Sequence, residues 1–166
     1  TDLVALAEQT VKDYENYMES YELNKALKAV WQFISRTNKY IDETMPWILA
    51  KKEQSGDEAR LHAVMYHLAE ALRIIAVLVD PVIPTGAPKI WEQLGLAGFK
   101  EASLDDVRTW GGLPDGTKVV KGAPIYPRFE MPEMVDAPQA KEGSADKKQA
   151  VESKAVAGEA ASEANA

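Results

Sequence analysis

The stretch that decides how this chain folds is NKYIDETMPWILAKK, residues 38–52. Ile41 continues the three-to-four spacing of the apolar residues before it, so the stretch begins as the end of an amphipathic helix. Pro46 must break that helix, because proline lacks an N–H group and pushes the preceding residue out of the helical region. Trp47 comes directly after the break, and Lys51 and Lys52 lie shortly beyond. A flat aromatic ring beside positive charge at a helix end is suited to holding an unstacked nucleic-acid base.

Apolar residues at helical spacing predict four helices around this break. We expect them at residues 1–19, 23–44, 57–79 and 87–94. Ser20 is the candidate N-cap of the second helix, because its hydroxyl can accept a bond from an unpaired N–H group of the first turn. The third helix is the longest and most apolar, so we expect it to run through the centre of the bundle.

The character of the chain changes after about residue 100. Turn residues cluster at 110–112 and 114–116, and Lys118, Val119 and Val120 form a short β-prone run between turns. We therefore expect a short irregular or β-hairpin-like extension that Trp110 pins to the bundle. Residues 131–166 contain no aromatic residue and no apolar periodicity. Such a segment cannot bury enough surface to offset the entropy of ordering, so we expect a disordered tail or linker.

The predicted fold class is therefore all-α. An antiparallel helical bundle with its closing extension forms a domain of residues 1–130, and the tail occupies residues 131–166. The chain of 166 residues has no cysteine, which excludes disulfides and thiolate metal sites. We find no apolar run long enough to span a membrane and no signal segment, so a soluble cytoplasmic protein is expected. Because the first residue is Thr1, we expect a piece of a longer protein.

The net charge argues mildly against strong non-specific binding of nucleic acid. Residues 1–130 hold 15 Lys and Arg against 19 Asp and Glu, a net charge of −4. Residues 131–166 hold 4 against 7, a net charge of −3. Proteins that bind nucleic acid on their own are usually basic. A local positive patch is still compatible with these totals.

No catalytic or metal-binding constellation emerges from the sequence. His62 and His67 are five residues apart on one helix, which separates them by about 140° around its axis, so they cannot share a metal ion. Asp105 and Asp106 are expected to begin a short helical turn, where acidic residues are common. The sequence has no phosphate-binding glycine loop and no nucleophile elbow. We therefore expect no catalytic, cofactor or metal residue in this segment.

The aromatic and amide residues near the break have two interpretations each. Trp31, Trp91 and Trp110 are expected to pack in or against the core. From the residues alone, Trp47 either plugs the end of the bundle, which is the more common role, or offers an exposed stacking surface. Asn38 lies four residues after Ile34 and is expected to point into the core, where its amide must find partners. It either fixes the shape of the break by bonding to backbone groups there, which we favour, or contacts a base directly.

Taken together, NKYIDE at 38–43 and PWILAK at 46–51 resemble the helical anticodon-binding domain of methionyl-tRNA synthetases. LAEALR at 68–73, leading to PVIP at 81–84, is similar to the next helix in that family. The stretches at 113–118 and 124–129 are similar to its closing segment. The resemblance covers about residues 1–130 in order.

The resemblance implies specific roles for four residues. Trp47 would stack on a base of the methionine anticodon, CAU, which reverses the preference for packing. Lys51 and Lys52 would approach the anticodon backbone. Asn38 is included as an RNA-binding residue, either by supporting the break or by direct contact.

The resemblance also implies what the longer protein would contain. It would be a methionine–tRNA ligase that uses ATP and Mg²⁺ in a catalytic domain absent from this segment, with methionine tRNA as its partner. Further anticodon-reading residues would lie on a helix before residue 1, and a tRNA-binding OB domain comes after the linker in some members. Two alternatives stay open: a non-enzymatic helical module for protein interaction, and the anticodon domain of a sibling class I synthetase.

Overall fold

The computed structural model describes residues 2–51 and 57–128, and within them the chain is helical with no strand. Five α-helices occur in order: α1 (Asp2–Glu19), α2 (Leu23–Thr44), α3 (Pro46–Leu49), α4 (Asp57–Val79) and α5 (Ala87–Gln93). Two single turns of 3₁₀-helix come next, at Phe99–Glu101 and Asp105–Val107. The prediction of an all-α bundle is confirmed. The extension after α5 is irregular rather than a hairpin, because residues 118–120 form no strand. The predicted tail and the boundary at residue 130 lie outside the described residues.

The core forms where α1, α2 and α4 meet. Each helix contributes residues spaced three or four apart, so one face of each is buried. The buried cluster contains, among others, Leu3, Ala7 and Val11 of α1, Ala26, Val30 and Phe33 of α2, and Ala71, Ile74, Ile75 and Leu78 of α4. Consecutive buried residues at 73–76 show that α4 is enclosed on several sides. Its predicted central position is therefore confirmed.

The apolar character of α4 qualifies the expectation that no segment is apolar enough to span a membrane. By length and composition alone, this helix could cross a membrane, since its best window has a mean hydropathy of 1.5. The central helix of a bundle meets the same criterion, and 56% of that window is buried inside the protein. Glu70 and Arg73 lie within the helix and pair with each other, which the bundle accommodates. We interpret α4 as a core helix.

Local details depart from prediction at three places. Glu22, not Ser20, is the N-cap residue of α2, and its side chain makes no capping hydrogen bond. The reason is the turn before it, where Tyr21 takes a left-handed backbone with φ of 58° and moves the helix start beyond Ser20. Trp31 is 51% exposed instead of packed. The single turn of α3 was not predicted at all.

The other two structural tryptophans behave as predicted. Trp91 is buried, and its indole Nε1–H donates to the Ala97 carbonyl at 3.0 Å. Trp110 is partly buried and packs against the main core cluster. The extension is thus fixed to the bundle by an aromatic side chain, as expected. Asp105 begins a 3₁₀ turn, also as expected.

A buried ion pair ties the extension to α4. The side chain of Glu70 is fully buried, and Arg73 donates to both of its carboxylate oxygens at 2.9 and 2.8 Å. The Gly111 and Gly112 N–H groups donate to Glu70 Oε1 at 2.9 and 3.0 Å. Arg73 Nη1 also donates to the Asp106 carbonyl at 2.9 Å. A Cβ at Gly112 would lie 2.5 Å from Arg73 Nη2, so only glycine permits this approach. We call these five residues the α4 latch.

The α4 latch keeps Glu70 ionised. Burial alone would raise the pKa of its carboxyl group. The hydrogen bonds and charge of Arg73, with the N–H groups of Gly112 and Gly111, outweigh burial and hold the pKa below its ordinary value of 4.5. A carboxylate that is better stabilised in the folded state contributes to stability only while it stays ionised.

Replacing Arg73 with methionine should strongly destabilise the protein. The substitution leaves Glu70 buried without its charge partner, and breaking a buried pair in this way costs about 3–5 kcal/mol. Urea denaturation measures the change in the free energy of unfolding. The matched control is Lys89→Met on the exposed side of α5, which should change that free energy by less than about 0.5 kcal/mol. Equal stabilities of the two variants would contradict a structural role for the pair.

Stability should also depend on pH through Glu70. Its contribution is fully present above its ordinary value of 4.5 and is lost as the pH falls through its lowered folded-state pKa. The free energy of unfolding should therefore decrease from about pH 4.5 downward. Glu70→Gln removes this titration, so the variant should lose less stability over the same range. Denaturation at a series of pH values tests this, and parallel curves for the two proteins would contradict it.

Candidate nucleic-acid interface

The break between α2 and α3 is a left-handed elbow at Met45. This residue has φ of 44° and ψ of 61°, and its N–H donates to the Ile41 carbonyl at 2.9 Å. That bond is the αL type of helix C-cap, which usually employs glycine. Pro46 then opens α3 in the first-turn position where its missing N–H costs nothing. The predicted helix break at Pro46 is confirmed, and Met45 makes the turn.

Within the single turn of α3, Trp47 and Leu49 lie in different surroundings. Leu49 is 7% exposed and packs with Val64 and Leu68 of α4 in a second small core. Trp47 is 50% exposed. The role of plugging the bundle end, considered for Trp47, is therefore performed by Leu49. Trp47 offers an aromatic surface to solvent on a backbone that Leu49 fixes.

The positive charge predicted beside Trp47 is partly described. Lys51 is exposed, and its N–H donates to the Ile48 carbonyl at 3.1 Å, which continues the turn of α3. Lys52 lies outside the described residues. On α2, Lys39 Nζ lies 3.8 Å from Glu43, and Glu43 also pairs with Arg36 at 3.2 Å. These ion pairs offset part of the positive charge that α2 carries near the elbow.

The predicted position of Asn38 is wrong. Its side chain is exposed, and among the described residues no hydrogen bond joins it to the elbow. The side chain that bonds near the elbow is Thr44, whose hydroxyl donates to the Tyr40 carbonyl at 2.6 Å. The physical reason is the orientation of α2. Thr37 belongs to the buried stripe, and one further residue turns about 100° around the helix axis, away from the core.

Asn38 instead lines a large apolar groove. The groove has a volume of about 890 Å³ and lies between α2, α4 and residues 113–119. Its walls are mostly apolar side chains, among them Ile34 and Ile41 of α2 and Met65 and Leu72 of α4. Asn38 and His62 are among the polar residues of this lining, together with Thr37, Asp115 and Thr117. The groove places an amide within reach of solvent, where it can serve as donor and acceptor.

The two histidines lie in different surroundings, as predicted from their spacing. His62 lines the groove, whereas the His67 ring lies 5.7 Å from the Trp110 ring and 6.1 Å from the Tyr40 ring. No group of acidic, histidine or cysteine residues in the described parts of the chain could hold a metal ion. The chemistry that the elbow offers is therefore aromatic stacking and lysine charge. The Asn38 amide belongs to the groove, whose lining includes neither Trp47 nor Lys51.

Comparison with known proteins shows which family has this arrangement. A family model described as the anticodon-binding domain of tRNA ligase matches residues 2–111. The methionine–tRNA ligase of Bacillus subtilis is 50% identical over 133 residues, covering 80% of this chain and 20% of the relative. Methionine–tRNA ligase 1 of Bacillus cereus is 48% identical over 129 residues, covering 78% of this chain and 19% of the relative. The chain thus spans about a fifth of the length of these curated relatives.

Solved structures agree with the sequence relatives. Free methionyl-tRNA synthetase of Mycobacterium tuberculosis is similar with a TM-score of 0.71 at 31% identity, over 79% of this chain and 26% of that one. The same synthetase in complex with methionyl-adenylate gives a TM-score of 0.70 at 31% identity, over 76% of this chain and 24% of that one. The helical fold therefore matches that of solved methionyl-tRNA synthetases as well as the sequence does. This chain belongs to the family of anticodon-binding domains of tRNA ligases.

Proposed function

We propose that this segment recognises the CAU anticodon of methionine tRNA, with Trp47 stacking on one of the anticodon bases. The observation that carries the proposal is the half-exposed Trp47 ring, held by a backbone that the buried Leu49 anchors. An exposed aromatic ring on a fixed backbone loses little freedom when a base stacks on it. The family match favours this function over a protein-interaction module. The names of the relatives favour methionine over the substrate of a sibling synthetase.

Three further residues complete the proposed interface. Lys51 is exposed and directly follows Ala50, the C-cap residue of α3. In this proposal it approaches a backbone phosphate of the anticodon loop, and Lys52 is assigned the same role. Asn38 lies about 9 Å before the end of α2 along its axis and offers its amide to a base edge at the groove. This assignment replaces the buried supporting role expected from the sequence. The elbow itself is held by Thr44, Met45 and Leu49 instead.

The longer protein that we infer is a methionine–tRNA ligase acting in translation in the cytoplasm. It joins methionine to its tRNA at the expense of ATP, and this segment contributes recognition of the tRNA. ATP and Mg²⁺ are assigned to a catalytic domain outside this segment, because the curated relatives are methionine–tRNA ligases of which this chain spans about a fifth. A tRNA-binding OB domain after residue 166 remains a further prediction.

Removing the stacking ring should weaken RNA binding. Base–aromatic stacking contributes about 1–3 kcal/mol, so Trp47→Ala should raise the dissociation constant by about 5- to 150-fold. The probe is a fluorescently labelled RNA stem-loop with a CAU anticodon, and anisotropy reports binding. The matched control is Trp31→Ala, because Trp31 is equally exposed, at 51% against 50%. If both variants bind like the unchanged protein, Trp47 does not stack on the RNA.

The contribution of Lys51 should appear in the salt dependence of binding. A lysine that neutralises one phosphate of a single strand releases bound counterion, which contributes about 0.7 to the slope of log affinity against log salt. Lys51→Gln should therefore make the slope shallower by about 0.7 and weaken binding at low salt. Lys118→Gln, an exposed lysine on the extension, provides the control. Identical slopes for both variants would remove Lys51 from the interface.

A further inference from the structure

We propose that Met45 is the positioning residue of the anticodon interface. Its left-handed backbone conformation, rather than a contact of its side chain, sets the direction in which Trp47 points. Only the effect on RNA binding rests on the proposed function, because the effect on the position of Trp47 can be observed without RNA.

The conformation of Met45 is unusual for its residue type. Among the described residues, Tyr21 and Met45 are the non-glycine residues with positive φ. Elsewhere the chain uses glycine for such turns, as at Gly95 and Gly116. A side chain with a Cβ atom incurs a steric penalty in the left-handed region. Such outliers persist only where the surrounding structure enforces them, and they cluster at functional sites.

Contacts on both sides of Met45 enforce its conformation. The ring of Pro46 disfavours a right-handed helical Met45, so α2 cannot continue. On the α2 side, the Met45 N–H bonds to the Ile41 carbonyl at 2.9 Å. On the α3 side, the Met45 carbonyl accepts from the Ile48 N–H at 2.8 Å, and Leu49 is buried against α4. Met45 therefore connects two anchored segments through a single strained residue.

The position of Trp47 depends on this connection. It lies two residues after Met45 and two before the anchored Leu49, within a helix of one turn. If Met45 relaxed to an extended conformation, the direction of α3 would change. Leu49 would leave its contacts with Val64 and Leu68, or Trp47 would no longer face solvent as it does. The strain at Met45 thus holds the aromatic surface in one orientation before RNA arrives, which spares the cost of ordering it on binding.

The side chain of Met45 does not supply the effect. It is 42% exposed, and among the described residues it belongs to neither core cluster. Substitutions at Met45 can therefore distinguish an effect of backbone conformation from an effect of a side-chain contact. Glycine and asparagine tolerate the left-handed region, whereas a β-branched isoleucine does not.

The test compares Met45→Gly, Met45→Asn and Met45→Ile in the whole chain. Binding of the CAU stem-loop is measured by anisotropy, and the Trp47 indole N–H resonance is monitored by NMR without RNA. We expect glycine and asparagine to retain the dissociation constant within about threefold and leave the indole resonance in place. Isoleucine should weaken binding by about fivefold or more, because the competent elbow is less populated, and should shift the resonance. The control is Leu23→Ile, an exposed apolar residue (57%) in the first turn of α2, at the opposite end of that helix from the elbow.

Each outcome decides the proposal. An unshifted indole resonance in Met45→Ile overturns it, and so does equal loss of RNA affinity in all three Met45 variants, which would indicate a side-chain contact. Far-UV circular dichroism shows whether the isoleucine variant is folded. If that variant is unfolded, the proposal is tested by Met45→Val at a lower temperature and by whether Met45→Asn retains RNA binding. If the resonance shifts as expected but Trp47→Ala leaves RNA affinity unchanged, the proposed function fails and the positioning role of Met45 stands.

Discussion

The fully buried carboxylate of Glu70 is the constraint on which the arrangement of this domain depends. A charge in the centre of an apolar helix is tolerated only when every oxygen is paired, and here Arg73 and the Gly111 and Gly112 N–H groups meet that need. Two of those donors belong to the extension, so Glu70 Oε1 would lose two of its three hydrogen bonds if the extension left α4. Because a hydrophobic pair could contribute as much stability, we interpret the α4 latch as a device that selects one position for the extension. Residues 113–119, which form one wall of the groove, depend on that position.

The elbow at Met45 fixes the direction of α3 relative to α2, and it does so with fewer residues than the α4 latch. Pro46 ends α2 but does not determine the direction of the next segment, because more than one non-helical backbone conformation is open to the residue before a proline. The left-handed conformation of Met45 sets that direction. Burial of Leu49 against Val64 and Leu68 stabilises it by roughly 1.5–3 kcal/mol, which is enough to offset the strain at Met45. An apolar contact on one side of α3 thereby fixes an exposed aromatic ring on the other. The same helical turn therefore packs Leu49 into the core and exposes Trp47 to solvent.

The sequence predicted the long helices well because their signals are redundant. The limits of α2 and α4 match at both ends, since periodicity, Pro46 and the acidic start at Asp57 indicate the same residues. The errors at Asn38 and Trp31 have one cause: sequence spacing gives the relative angles of residues around a helix but not which side the neighbours cover. Asn38 was placed on the core side with Ile34 as the reference, yet Ile34 itself is only half-buried at the edge of the groove. Met45 could not be found from its residue type, because methionine carries no signal for positive φ. Its conformation is imposed by Leu49, whose contacts are tertiary.

The acidity of the chain constrains how such an interface can bind RNA. With a net charge of −4 over residues 1–130, long-range attraction to phosphates is weak, and the ion pairs of Glu43 with Lys39 and Arg36 reduce the free positive charge of α2 further. Counterion release, which dominates the affinity of basic proteins, therefore contributes little here. Affinity must come from short-range contacts whose strength depends on geometry, and base stacking is the strongest of those available at the elbow. A surface that relies on stacking loses more from a misdirected ring than a surface that relies on charge, because stacking falls off over a few ångströms. The strain held at Met45 is consistent with the proposed role of Trp47, because a domain that binds RNA by stacking gains most when the ring is oriented before the RNA arrives.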